Sequence, residues 1–215
     1  MISREMLQKA WTQCFENMGG AMPPPSVWHE LQARYREPHR AYHTLQHLEE
    51  CFSWFDQVHM LAQHPGEIAF ALFYHDAIYD THASDSEEQS AVLAVQVLEE
   101  YVRGNSDPAR ISSLILATKH SAVPDNNDAK LLVDIDLAIL GAAPDRFDEY
   151  ERQVRMEYGW VDADAFRQGR LRILEQFLQR LVLYSHTLLR EQLEDRARSN
   201  LQRSIDRLRS GTALD

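Results

Sequence analysis

Apolar residues recur at every third or fourth position along most of this sequence, which is the period of an amphipathic α-helix. The predicted helices lie at about residues 3–17, 27–36, 44–63, 65–78, 86–103, 107–120, 129–140, 144–158 and 164–184, with a last one ending near residue 208. The fifth is expected to stop at Gly104 and Asn105. No stretch alternates convincingly with the period of two that a strand shows, and no repeat or long linker interrupts the pattern. The sequence therefore predicts a single all-α domain over residues 1–215.

The helix predicted at residues 65–78 is apolar over most of its circumference, so we expect it to be the central and most buried one. Near its end the apolar run carries His75 and Asp76 side by side, and Asp80 follows one turn later. Burying an ionised carboxylate is costly unless it is paired, hydrogen-bonded or bound to a metal. The His75–Asp76 pair is therefore either a satisfied ion pair of the core or part of a metal site.

Two further histidines, His43 and His47, are four residues apart at the start of the third predicted helix, where both rings would project from one face. The spacing resembles a zinc-protease motif. Thr44, however, occupies the position where that motif needs its glutamate base, so a zinc peptidase is rejected. A partly exposed helix face is the alternative interpretation of this histidine pair.

Two other places combine ligand-type side chains with an apolar context. Lys119 and His120 end an apolar helix, where a histidine alone is more often a helix C-cap. Asp134 and Asp136 lie in an apolar helical stretch, and residues two apart on a helix project about 200° apart. Only one of these aspartates is expected to face a shared centre, and periodicity does not decide which.

Such a set of ligands predicts a particular kind of metal site. Three nitrogen or oxygen ligands from different helices, with an open position, are typical of catalytic rather than structural sites. Mixed imidazole and carboxylate ligands suit Mn, Fe, Co, Ni or Zn, and Mg is also compatible. The cofactor expected from the sequence is therefore a divalent metal ion.

Composition narrows the class of protein. The formal net charge of −11 argues against a nucleic-acid polymer or a membrane surface as partner, although a small anionic substrate can still bind locally. No apolar run is long enough for a membrane span, and the N-terminus lacks the apolar core of a signal peptide. The two cysteines, Cys14 and Cys51, form no disulfide framework, which fits a cytoplasmic protein. The ten histidines matter because imidazole is the commonest metal ligand.

The order of these residues resembles the signature of the HD superfamily of metal-dependent phosphohydrolases, and the chain looks like a bacterial subfamily described as predicted HD-superfamily phosphohydrolases. The segments that carry the resemblance are Arg40–His47, Phe73–Asp80, Asp134–Gly141 and Glu194–Leu201. The resemblance implies an HD-type helical bundle with the metal site between central helices. The metal ligands it implies are His47, His75, Asp76 and Asp136. Asp134 is the rival of the last of these.

The resemblance also implies roles in catalysis and substrate binding. His43 resembles the histidine that protonates the leaving oxygen in the cyclic-nucleotide phosphodiesterase branch. Asp80 lies where guanosine tetraphosphate hydrolases have an acid that orients the attacking water or acts as base, although this chain has Tyr79 where that branch has glutamate. The candidate phosphate contacts are Arg40, Lys119 and His120, and exposed helix-end charges are the alternative for the first two. Arg198 and Asn200 lie in a family-like C-terminal motif and are expected to be structural.

The function expected from the sequence is hydrolysis of a phosphate ester or anhydride, of a nucleotide or a similar small molecule, by a metal-activated water. One alternative is an HD-type di-iron oxygenase, which needs further histidine ligands such as His120. Another is a non-catalytic nucleotide-binding module. The number of bound ions and the assembly of the chain into homo-oligomers stay open.

Overall fold

The structure, a computed structural model, describes residues 2–102, 106–120 and 124–211, with side chains from residue 5 onward. The described residues form ten α-helices, which are α1 (Ile2–Asn17), α2 (Pro25–Arg34), α3 (Leu45–Val58), α4 (Pro65–Tyr74), α5 (Ser86–Tyr101), α6 (Pro108–Ala117), α7 (Asn127–Asp136), α8 (Pro144–Glu157), α9 (Ala163–Gln179) and α10 (Thr187–Ser210). Short 3-10 segments, His59–Leu61 and Leu137–Gly141, follow α3 and α7. Every regular element in these ranges is helical, which confirms the predicted all-α class.

Two compact units make up the chain, Met1–Ile135 and Asp136–Asp215. The boundary falls between the last two residues of α7. The predicted stop of α5 at Gly104 and Asn105 lies outside the described residues. None of the described helices combines the length and the apolar content that a membrane crossing requires.

Helix α4 forms the centre of the first unit, because every residue after its first is buried. It packs against α1, α3, α5 and α6. Aromatic rings from α1 and α4 meet edge to face, with centroids 5.1 Å apart for Trp11 and Phe73 and 5.8 Å apart for Phe15 and Phe70. Burying side chains of this size stabilises a fold by about 1.5–3 kcal/mol each. The position of α4 agrees with its apolar circumference.

Two buried acids fix the N-terminal turn of α4. Glu67 accepts hydrogen bonds of 2.8 and 2.7 Å from Nε and Nη2 of Arg110. Asp128 accepts the backbone N–H groups of Gln63 at 2.7 Å and His64 at 2.9 Å, and it also contacts the His64 ring. These partners satisfy carboxylates whose burial would otherwise be costly. They also tie the start of α4 to α6 and α7.

In the second unit, α10 packs against α9 and against the 3-10 segment that follows α7. Asn200 on α10 is fully buried, and its Nδ2 donates to the carbonyls of Leu140 at 2.9 Å and Ala142 at 3.0 Å. The glycine between them allows this close approach, since a Cβ at Gly141 would lie 2.7 Å from Cβ of Leu193. Asn200 therefore has the structural role that the sequence predicts.

Several helices end earlier than the periodicity predicts. Helices α3 and α7 give way to the 3-10 segments that follow them, and α6 ends at Ala117. In two other helices an arginine binds near the early end. Helix α4 ends at Tyr74 rather than near residue 78, and Arg40 donates to carbonyls just beyond it. Helix α9 ends at Gln179 rather than near residue 184, and Arg198 donates to carbonyls in its last turn and in the residues that follow. Carbonyls at a helix end need partners from outside the helix. In both cases a distant arginine supplies them.

Candidate metal centre

His75 and Asp76 follow the last residue of α4, so the end of the most buried helix carries both side chains. Nε2 of His75 lies 2.9 Å from Oδ2 of Asp76. Nδ1 of His75 lies 2.9 Å from the carbonyl oxygen of Leu72. Because a carbonyl only accepts hydrogen bonds, Nδ1 carries a proton, and the ring presents a lone pair at Nε2 whenever that nitrogen is deprotonated. Metal-binding histidines are commonly held this way through their second nitrogen.

His47 reaches the same place from the first turn of α3. Thr44 caps this helix, since its Oγ1 accepts the N–H of Gln46 at 3.3 Å. The His47 ring is buried, and its Nε2 lies 3.1 Å from Nε2 of His75 and 3.6 Å from Oδ2 of Asp76. Residues that are 28 positions apart in the sequence therefore converge on one point.

Asp136, the last residue of α7, joins this cluster. One ligand atom from each of His47, His75 and Asp136 lies within 4.8 Å of the other two, and the group could hold a metal ion. Asp134 is buried, but among the described residues it does not belong to this group. The geometry therefore favours Asp136 over Asp134.

Both the chemistry and the spacing of these donors fit a divalent cation. Two ligands that bind one cation at about 2.0–2.1 Å lie roughly 2.8–3.4 Å apart when the angle between them is about 90–109°. The distances among His47, His75 and Asp76 are 3.1, 3.6 and 2.9 Å, close to this range. Imidazole and carboxylate together suit the borderline divalent ions predicted from the sequence.

An ion pair of the core, the alternative interpretation, explains only part of the cluster. It accounts for His75 and Asp76 but not for the second imidazole of His47 or the second carboxylate of Asp136. Burial alone raises the pKa of Asp76, but His75, with His43 and His47 nearby, lowers it overall to well below its usual range. Asp76 is thus ionised at neutral pH, as a metal ligand must be.

His43 lies outside α3, in the turn that precedes it, so the predicted pairing of His43 and His47 on one helix face is wrong. The turn is closed by the N–H of Thr44, which donates to the carbonyl of Tyr42 at 2.7 Å. The His43 ring nevertheless stays near the cluster, with its centroid 6.0 Å from that of His47. It lies against the Tyr79 ring, with centroids 4.1 Å apart.

Arg40 is buried, so it is not the exposed helix-end charge that was its alternative interpretation. Its guanidinium donates to the backbone carbonyls of Asp76 at 2.7 Å and His43 at 3.1 Å. Arg40 therefore contacts the segments that carry the cluster. Its guanidinium binds their backbone carbonyls and does not face an open surface.

The remaining predicted site residues have contacts of their own. Asp80 is exposed, and its Oδ1 accepts the N–H of His82 at 2.8 Å. Lys119 pairs with Glu88 at 2.5 Å, and this contact raises the pKa of Lys119. His120 lies beyond the end of α6 with a left-handed backbone, φ 54°, as is common just after a helix. Among the described residues, His120 is not in the group with His47 and His75. The catalytic role of Asp80 and the substrate-binding roles of Lys119 and His120 stay predictions.

The sequence pattern gives Cys51 no role at this site. Its Sγ lies 3.7 Å from Nε2 and 3.8 Å from Nδ1 of His47, so the thiol packs against this ring. The sequence does contain a signal for this contact, because Cys51 follows His47 by four residues and residues four apart on a helix share a face. Tyr79 was noted only as a departure from a family pattern, and its contact with His43 depends on the turn after α4.

The chain matches no protein-family model, no curated protein and no solved structure. Its function must therefore be argued from its own residues.

Proposed function

We propose that this protein is a metal-dependent phosphohydrolase of the HD type. It would hydrolyse a phosphate ester or anhydride of a nucleotide or a similar small molecule. The observation that carries the proposal is the convergence of His47, His75 and Asp136, with Asp76 beside them. These are the four residues that the resemblance to the HD superfamily implies as ligands.

The four side chains would hold a single divalent cation, and His75 would be oriented by its bond to the carbonyl of Leu72. A cation there supplies Lewis acidity, which lowers the pKa of water and offsets the charge of phosphoryl oxygens. Four protein ligands leave positions for water and substrate on an ion that takes five or six ligands, as a catalytic site requires. The identity of the ion among Mn, Fe, Co, Ni, Zn and Mg is left to the experiment.

Protons must move to and from the reacting atoms, and His43 is the proposed donor to the leaving oxygen. Its ring is held against Tyr79 and meets the ring of Tyr42 edge to face at 4.9 Å, so its orientation is restricted. A general acid contributes by holding a proton at the right place in the transition state. Asp80 is the second proposed residue, as base or as a group that orients water, and its carboxylate is exposed at the turn after α4.

The alternatives have less support. A di-iron oxygenase needs further histidine ligands, and the group found among the described residues contains only two histidines. A binding module without catalysis has no specific observation in its favour.

The test is a turnover screen with chelator-treated protein that is reloaded with each of the candidate metals. Mono-, di- and cyclic nucleotides and a generic phosphodiester serve as substrates, and the released products are identified. We expect phosphoester hydrolysis by the wild type and a loss of at least about 100-fold in His75→Ala.

The matched control is His64→Ala, which breaks another histidine–aspartate pair, with Nδ1 of His64 2.9 Å from Asp128. This variant should keep its turnover. Full activity in His75→Ala, or no hydrolysis by the wild type with any of the metals, would contradict the proposal.

A further inference from the structure

Arg40 has a side chain that is 0% exposed, and it lies between the two segments that carry the candidate metal centre. We infer that Arg40 is a positioning residue for this centre, and not the phosphate contact that the sequence predicts. The inference rests on the proposed function, because it concerns the same site. The observations that support it are the contacts that the guanidinium of Arg40 already makes.

The guanidinium joins the turn before α3 to the turn after α4. Nη1 donates to the carbonyls of His43 at 3.1 Å and Asp76 at 2.7 Å. Nη2 donates to the carbonyl of Ala77 at 3.2 Å, and Nε donates to Oε2 of Glu37 at 3.0 Å. An arginine has five N–H donors, and these contacts engage four of them. A buried group with this many partners is poorly placed to bind phosphate.

Two tyrosine rings also contact the same side chain. The guanidinium carbon lies 5.2 Å from the ring centroid of Tyr35 and 5.4 Å from that of Tyr79. Tyr79 in turn lies against His43, with ring centroids 4.1 Å apart. Stacking of an arginine on aromatic rings restricts the plane of its fork. Arg40 therefore fixes the proposed proton donor both through the His43 carbonyl and through the Tyr79 ring.

Because α4 has ended at Tyr74, the carbonyls of Asp76 and Ala77 need donors from outside the helix. Arg40 supplies these donors, so it sets where the backbone of a proposed metal ligand lies. Lysine could not replace it, since an ammonium is a point donor without the planar fork. Residues that orient metal ligands typically matter about 10–100-fold in metal affinity when they are changed.

The experiment measures Mn²⁺ binding to chelator-treated protein in the absence of any substrate, with free Mn²⁺ followed by its paramagnetic resonance signal. Arg40→Lys should remain folded by circular dichroism and bind Mn²⁺ about 10–100-fold more weakly than the wild type. The matched control is Arg110→Lys, which changes another arginine that binds a buried acid, Glu67, outside the cluster. Its Mn²⁺ affinity should stay within about threefold of the wild type.

A phosphate contact would behave differently. It would leave substrate-free Mn²⁺ affinity unchanged in Arg40→Lys and raise KM alone, and that result overturns the inference. If Arg40→Lys does not fold, Tyr79→Leu takes its place, because it removes one of the two rings that contact the guanidinium. We then expect Mn²⁺ binding to weaken at least about threefold, and unchanged binding overturns the inference. A wild type that binds Mn²⁺ but hydrolyses no phosphoester refutes the proposed function and leaves this role of Arg40 standing.

Discussion

A buried ion pair in the second unit, Glu151 with Arg170, allows a detailed prediction about stability. Glu151 is 1% exposed, and its Oε1 accepts hydrogen bonds from Nε of Arg170 at 3.1 Å and from Nη2 of the same guanidinium. Oε2 accepts the hydroxyl of Ser204 at 2.7 Å. Burial alone lowers the pKa of Arg170, but Glu151 more than offsets this and raises it above the ordinary value. The pair joins α8 to α9, and Ser204 adds α10.

Arg170→Met keeps a long side chain and removes the charge. It leaves the Glu151 carboxylate buried with the Ser204 hydroxyl as its remaining partner among the contacts described above. Removing one partner of a buried pair typically costs about 3–5 kcal/mol, whereas replacing both by apolar residues is often nearly neutral. We therefore expect the free energy of unfolding to fall by about 3–5 kcal/mol in Arg170→Met and by clearly less when Glu151→Met is added.

The pH dependence has a definite sign. A buried carboxylate that has lost its cation partner favours its neutral form. The folded Arg170→Met variant should therefore hold a proton above about pH 4, where the unfolded chain has released it. Because the folded state then holds more protons, stability falls as pH rises. The deficit of the variant relative to the wild type should be larger at about pH 8 than at about pH 5.

Urea unfolding followed by far-ultraviolet circular dichroism, at both pH values, measures these differences in the wild type, the single variants and the double variant. The reasoning would be refuted if Arg170→Met lost less than about 1 kcal/mol. A double variant no more stable than Arg170→Met would refute it equally.

Two further predictions concern the same unit. Asn200→Ala leaves two carbonyls, one buried and one part-buried, without their amide donor. Urea unfolding should show a loss of about 2–4 kcal/mol, and a loss below about 1 kcal/mol would contradict this. Asp148 contacts two arginines of α10; burial raises its pKa, but Arg203 and Arg207 lower it overall. A carboxyl group whose pKa is lower in the folded than in the unfolded state stabilises the fold at neutral pH. This stabilisation is lost as the pH falls and the group is protonated. Asp148→Asn should thus cost about 0.5–1 kcal/mol at neutral pH, and thermal unfolding below about pH 4 should show this gap closing rather than widening.

Features that depend on one segment alone could be predicted from the sequence. Helix α4 is apolar on all sides, and that property already requires burial wherever the helix packs. His75 and Asp76 stand out because their polarity conflicts with that run. For the same reason the sequence directs attention to the end of α4 without any knowledge of the fold.

Features that depend on a partner from elsewhere in the chain could not be predicted. The ends of α4 and α9 are set where Arg40 and Arg198 donate to carbonyls, and periodicity carries no information about those contacts. From the sequence, Arg40 is a charge near ligand-type residues and so suggested a phosphate contact; its burial follows only from packing.

The two aspartates near the end of α7 show the same limit. Asp134 and Asp136 project in different directions from one helix, and the sequence does not fix how that helix is rotated about its axis. In the structure Asp136 lies with His47 and His75. Rotation of a helix is settled by the side chains it packs against, which a local pattern does not contain.

We propose that His47, His75, Asp76 and Asp136 bind a divalent cation, and equilibrium dialysis with elemental analysis tests this most directly. Wild-type protein, stripped with chelator and dialysed against each candidate metal, should retain a single ion per chain. His47→Ala and Asp136→Ala should retain almost none while staying folded, and His64→Ala should match the wild type. Metal retention that is the same in the His47 and Asp136 variants as in the wild type, or absent from all of them, would contradict the account.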